Sequence, residues 1–136
     1  CMGQYDHLHL TVVQKPEILA QINAAFQKAV GDPNMQVTYG APTVIYVSCK
    51  NEDEEIVKGC NAGVVMENML LEAADLGLGA VYLFGVSQVL FANEEITKLL
   101  QIPEGFRTVS AIAVGTSADA LQERTLGTDK ISTTTL

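Results

Sequence analysis

The sequence predicts an α+β domain, a mixed β-sheet flanked by helices, with a central buried helix and a polar C-terminal arm. Three observations carry this reading. Thr43 to Cys49 is apolar at odd and even positions alike, as a strand covered on both faces must be. Residues 56–76 hold a long helical pattern that is apolar around most of its circumference. Short β-rich runs and amphipathic helical runs share the rest of the chain.

Each element has its own local reason. His7 to Val13, rich in Val and containing Thr11, reads as the first strand. Pro16 suits the first turn of a helix, and Ile18, Ile22, Ala25, Phe26 and Ala29 follow at helical spacing, so one face turns inward. Gly31 is placed to cap that helix and Pro33 to stop it. Residues 31–42 read as a loop, then Thr43 to Cys49 as the central strand, then Asn51 to Glu55 as a solvated acidic connection.

In the helix near Ile56 to Leu76, Asn61, Glu67, Asn68, Glu72 and Asp75 form a polar stripe, and Val64, Val65, Met66, Met69, Leu70 and Leu71 make up much of the rest. Such a helix is expected to be buried on most sides, in a core or in a subunit interface. Gly77 and Gly79 end it. Ala80 to Leu83 form a short strand, and Phe84-Gly85-Val86-Ser87 turn out of it. Asn93 caps a helix whose first turn carries Glu94 and Glu95, favourable against the helix dipole. Arg107 to Val114 is the last β-rich core segment, and the chain turns polar from Gly115 onward.

Composition narrows the function classes. The 136 residues suit one domain spanning 1–136, and 48% apolar residues can fill its core. A formal net charge of -8 argues against a nucleic-acid partner, which would want a basic face, and against an anionic membrane surface. No run approaches the ~18 apolar residues of a membrane span, and no secretory leader is read. Cys1, Cys49 and Cys60 have no C-x-x-C spacing, so a reducing cytoplasm is expected. Cys1 is an unusual start, which points to processing, to a cloned fragment or to numbering from an internal position.

Candidate sites read as follows. Gly77-x-Gly79 closes a helix and leads into a strand, the reverse of a dinucleotide loop, so it is a helix cap. His7 and His9 alternate on the first strand and share a face, but no third ligand has metal-site spacing, so no metal is expected. Cys49 and Cys60 read as small apolar residues rather than nucleophiles. The polar stripe reads as a solvated or interface-edge face. A tight turn accounts for Gly85, whereas an exposed Phe84 calls for a ring or a partner subunit to pack on.

Several blocks resemble the nitroreductase family of FMN-dependent oxidoreductases. These are Gly40-Ala41-Pro42 before the central strand, the run from Glu67 through Leu76-Gly77-Leu78-Gly79, and Ile102-Pro103 followed by Ala113-Val114-Gly115. The resemblance covers about residues 2–126. None of these blocks is catalytic, so they mark fold more than activity. The resemblance implies an interlocked homodimer with FMN at the subunit interface. It also implies a domain that is N-terminally incomplete relative to the family, because the opening Arg-x-Ser-x-Arg motif for the FMN phosphate does not occur here.

The family's Pro-Ser turn into Asn-x-Gln-Pro-Trp corresponds to Cys1 to His7, with Gly3 where the Asn often stands and Tyr5-Asp6-His7 in place of Gln-Pro-Trp. The cofactor-binding residues implied are therefore Met2, Gly3 and Gln4, together with Tyr82, Leu83, Phe84 and Gly85, whose backbone would face the flavin ring. A backbone N–H there would stabilise charge on the reduced ring. Arg124 matches a C-terminal arginine that reaches the phosphate. That phosphate is a dianion and needs cations or clustered N–H groups. The chain has eight basic residues, of which only Arg107 and Arg124 are arginines. Either a preceding segment completes the phosphate site, or this chain binds FMN weakly or not at all.

The function implied is electron transfer from NAD(P)H through flavin to a nitro, quinone or similar small-molecule acceptor. Because the flavin carries the chemistry, no catalytic side chain is nominated. The alternative is a nitroreductase-like structural or binding dimer without flavin or redox activity.

Overall fold

The structure is a computed structural model that describes residues 3–85, 89, 93–119, 123, 125, 127 and 130–136. A 3-10 turn at Tyr5–His7 leads into β1 (Leu8–Val13), α1 (Pro16–Val30), β2 (Thr43–Lys50), α2 (Glu55–Asp75), β3 (Gly79–Tyr82), a short α3 (Glu94–Leu99) and β4 (Phe106–Gly115). The four strands form one sheet in the order β1-β2-β4-β3. Every pairing among the described strands is antiparallel, where the sequence led us to expect a mixed sheet. Antiparallel pairing needs no crossover on one side of the sheet, so helices can follow strands on either face.

The predicted helix signals hold in detail. Pro16 opens α1, and Gly31 closes it in the left-handed region at φ 74° with its N–H donating to Gln27 O. At the end of α2, Leu78 N–H donates to Ala73 O at 2.8 Å and Gly77 N–H to Ala74 O at 3.0 Å, with Gly77 at φ 69°. This double closure is why the glycine follows the helix there. Asn93 caps α3, its side chain accepting from the N–H groups of Glu95 and Ile96.

Two apolar clusters lie on opposite faces of the sheet. One joins Ile22 and Phe26 of α1 and Ile96 of α3 to Val13, Val44, Tyr46 and Ala111. The other joins Ala62 and Met66 of α2 to Val47 and Ile112. β2 therefore has both faces covered, as its unbroken apolar run required. Two of the sequence blocks noted above meet at its edge: a Cβ on Gly115 would come within 2.7 Å of Pro42 Cδ. Within the first cluster the Tyr46 phenol is 2% exposed and has no hydrogen-bond partner among the described residues. Burial pushes its pKa up.

Two expectations need correction. The first strand begins at Leu8, and His7 belongs to the preceding 3-10 turn, so His7 and His9 do not share a strand face. His7 Nδ1 instead lies 2.7 Å from Asp53 Oδ1, while the His9 ring meets Phe106 edge-on at 6.2 Å. Cys60 is exposed rather than packed, unlike Cys49. Within a single chain α2 gives one face to the core, where Lys58, Ala62, Met66 and Ala73 are buried, while Ile56, Val64 and Leu71 are 71%, 64% and 59% exposed and remain available to an interface.

Candidate functional site

The site begins with the short strand β3. Tyr82 pairs with Ile112 of β4, and Leu83 continues the ladder by donating to Ala111 O at 2.8 Å. Leu83 is 3% exposed and anchors the segment in the core. Its two neighbours belong to different elements: Tyr82 ends β3, and Phe84 opens the helical backbone that follows. Tyr82 and Phe84 are 38% and 58% exposed, and their rings meet edge-to-face at 6.0 Å. Phe84 and Gly85 are helical backbone, where the sequence reading expected a turn, and Val86 and Ser87 of that expected turn lie outside the described residues.

A second segment faces this one. The side chains of α1 hold it: Asn23 Oδ1 accepts from Val37 N–H at 2.9 Å, and Gln27 Nε2 donates to Met35 O at 2.9 Å. Immediately after it, Ala41 N–H donates to Thr38 O at 2.9 Å, closing a turn in which Tyr39 and Gly40 both have positive φ, 54° and 71°. That is the φ pattern of a type I′ turn. For a residue with a side chain, such a backbone costs about 1–3 kcal/mol.

Between the two segments lies an open depression of about 400 Å³. Phe26, Val37 and Leu83 form its buried floor, and Met35, Tyr39, Tyr82 and Phe84 stand around it with Gln36 and Gly85. None of these residues carries a charge. The lining suits a flat apolar or aromatic ring, which can stack on such side chains, and does not suit a phosphate.

The structure thus brings Tyr82, Leu83, Phe84 and Gly85 together at one depression. Gly3 and Gln4 are exposed, lie just before the 3-10 turn, and do not line it. Met2 and Arg124 lie outside the described residues. The sequence reading missed Met35, Val37 and Tyr39. The available signal was a tyrosine directly before a glycine in a loop of turn-forming residues, which places a bulky ring where the backbone prefers none.

Cations near the start of α2 are committed to carboxylates. Lys50 Nζ donates to Asp6 Oδ2 at 3.0 Å, which lowers the Asp6 pKa and raises that of Lys50. Lys58, only 3% exposed, donates to Asn51 O at 2.9 Å and to Glu55 Oε1 at 3.1 Å. Arg107 also bonds Glu55, and the Glu55 pKa is lowered by Lys58 first and Arg107 second. Burial, reinforced by the Asp53 charge, pushes the Cys49 thiol up, which disfavours the thiolate of a nucleophile.

This architecture, an antiparallel sheet with a long helix on one face and an aromatic depression at the end of a short edge strand, defines an α+β class that the comparisons identify. Residues 5–116 match the Nitroreductase family, and the chain belongs to it. A protein of Methanothermobacter thermautotrophicus described as "Putative NADH dehydrogenase/NAD(P)H nitroreductase" is 33% identical over 115 residues, covering 82% of this chain and 56% of that protein. The chain thus spans little more than half of that relative. In fold it is similar to a nitroreductase with bound FMN from Bacteroides fragilis, at TM-score 0.78 and 22% identity over 96% of this chain and 78% of that one. It is likewise similar to one with bound FMN from Desulfitobacterium hafniense, at TM-score 0.76 and 19% identity over 98% and 78%. Among the described residues, no helix is long and apolar enough to cross a membrane.

Proposed function

We propose that the chain is the flavin-binding domain, over residues 1–136, of a homodimeric FMN-dependent oxidoreductase that takes electrons from NAD(P)H. Its acceptor is a nitro compound, a quinone or a similar electron-poor small molecule. One observation carries this reading: the segment that corresponds to the family's flavin-facing turn, Tyr82 to Gly85, borders an uncharged aromatic depression. When bound, the flavin would supply the two-electron chemistry. The chain's own contribution is a ring-shaped apolar seat and backbone N–H groups at Phe84 and Gly85 for the polar edge of that ring. Met2, Gly3 and Gln4 belong to the proposed site as a second contact segment, and Arg124 as a phosphate ligand.

The exposed apolar face of α2, with Ile56, Val64 and Leu71, supports the homodimer, because isolated domains rarely leave such a face bare. Free Cys49 and Cys60 fit a cytoplasmic location. A second reading, a nitroreductase-like structural or binding dimer without flavin, is favoured by the pairing of Lys50, Lys58 and Arg107 with carboxylates. An absorbance spectrum of the purified protein separates the two. A flavin band near ~450 nm in stoichiometric amount, bleached by NADH or NADPH, is expected for the enzyme. A colourless protein with no saturable FMN binding in titration would leave the second reading.

A further inference from the structure

Tyr39 occupies a backbone position that its residue type fits badly. Its φ of 54° is in the left-handed region, where glycine and asparagine are at ease. Gln101 is the other non-glycine residue with positive φ among those described, and a helix end accounts for it: Gln101 follows α3, and Ile102 N–H donates back to Thr97 O at 3.3 Å. Tyr39 has no helix to close. Its turn has Gly40 at the next position, so an asparagine at 39 would complete the favoured type I′ pair. Burial gives no compensation either, because Tyr39 is 71% exposed. A large aromatic ring is therefore held at the surface against local backbone preference, and it is held at the depression opposite the Tyr82–Phe84 pair.

Strain retained at a cavity mouth is explained when the side chain does work there. We propose that Tyr39 is a cofactor-contacting residue whose ring covers the depression and packs on a planar, uncharged tricyclic ring seated against Tyr82 and Phe84. This rests on the reading that the Tyr82–Gly85 segment faces the flavin ring. A planar, uncharged ligand follows from the lining, which offers three aromatic rims, one thioether and no charge; that it is tricyclic follows from the flavin reading. Tyr39 would thus grip the ring system and leave the phosphate to groups elsewhere.

The test uses lumiflavin, the flavin ring without its ribityl phosphate, alongside FMN. Binding is read by quenching of flavin fluorescence in wild type, Tyr39→Asn and Tyr39→Phe, and each melting temperature is measured without ligand. Tyr39→Asn should weaken lumiflavin binding by about tenfold or more while leaving the melting temperature equal or higher, and Tyr39→Phe should bind within about threefold of wild type. A role in folding alone predicts the reverse pattern, a lower melting temperature with unchanged affinity. Equal lumiflavin affinity in wild type and Tyr39→Asn, or no lumiflavin binding by wild type, overturns the proposal. If FMN binds tightly while the Tyr39 variants do not differ, the flavin reading stands and the role of Tyr39 falls. If lumiflavin follows the expected order but FMN binds no more tightly than lumiflavin, Tyr39 stands and the phosphate site falls.

Discussion

His7 Nδ1 donates to Asp53 Oδ1 at 2.7 Å, joining the residue before β1 to the connection before α2 across 46 positions of sequence. Both side chains are mostly shielded, at 16% and 11% exposure. The neighbouring Asp6–Lys50 pair fastens the same 3-10 turn to the end of β2. The segment holding Gly3 and Gln4 is thereby tied to the sheet at one end.

Removing the acid should loosen that tie. Asp53→Ala leaves a shielded imidazole without its partner, which should cost about 1–3 kcal/mol. The urea midpoint should fall with an unchanged slope. An unchanged midpoint would show that the contact contributes nothing to folding.

The Asp6–Lys50 pair makes a signed pH prediction. The folded pKa of Asp6 is lowered, so its contribution is present above its ordinary 3.8 and is lost as pH falls through the depressed folded value. The folded pKa of Lys50 is raised, so the same pair also weakens as pH rises above 10.5 through the folded value. The melting-temperature difference between wild type and Asp6→Asn should be small, flat at neutral pH, and vanish at both extremes. High salt should shrink it.

Adjacent leucines on α2 should behave differently. Leu70 is half-buried against the Val47–Ile112 cluster, whereas Leu71 is 59% exposed. Leu70→Asp places an unpaired charge against that cluster and should cost several kcal/mol, roughly 3, read as a clearly lower melting temperature. Leu71→Asp should leave the fold intact and shift the protein toward monomer in sedimentation. A folded, dimeric Leu71→Asp protein would place the dimer interface elsewhere.

Tyr46 predicts a gain. Its buried hydroxyl has no partner among the described residues, so Tyr46→Phe removes an unsatisfied polar group without leaving a large void. Stability should hold or rise by about 1 kcal/mol, measured as a higher denaturation midpoint. A fall of that size would reveal a partner for the hydroxyl.

Arg124, assigned to the phosphate by resemblance, should matter for ligand and little for folding. Arg124→Ala should weaken FMN by about ten- to a hundredfold, from the loss of a charge-assisted interaction. Lumiflavin affinity should be unchanged. Equal FMN affinities would remove Arg124 from the site.

Much of the fold was legible because its signals are local. Proline at the start of α1, glycine after α1 and α2, and asparagine before α3 each act within one helical turn. The apolar run of β2 named its own central position. Strand directions were not legible, since the pairing partner of a strand is a long-range fact; a mixed sheet was expected, and every pairing among the described strands is antiparallel. His7 misled for a related reason: its place in the turn depends on Asp53, a residue far along the chain. At the site, the short strand read at Ala80 to Leu83 was found at Gly79–Tyr82, whereas Phe84 and Gly85, read as a turn, are helical. Its opposite wall, Met35 to Tyr39, is held by side chains of α1 and has no periodicity to read.

Covering both faces of β2 has a further result, one of tempo. Its amide protons lie between β1 and β4, beneath helices on either side, so solvent deuterium can reach them only through extensive opening of the domain. β3 has a neighbour on one side only among the described strands, and its four residues lead directly to Tyr82 and the depression. The part that would grip a ligand can therefore breathe many times within the lifetime of a closed core.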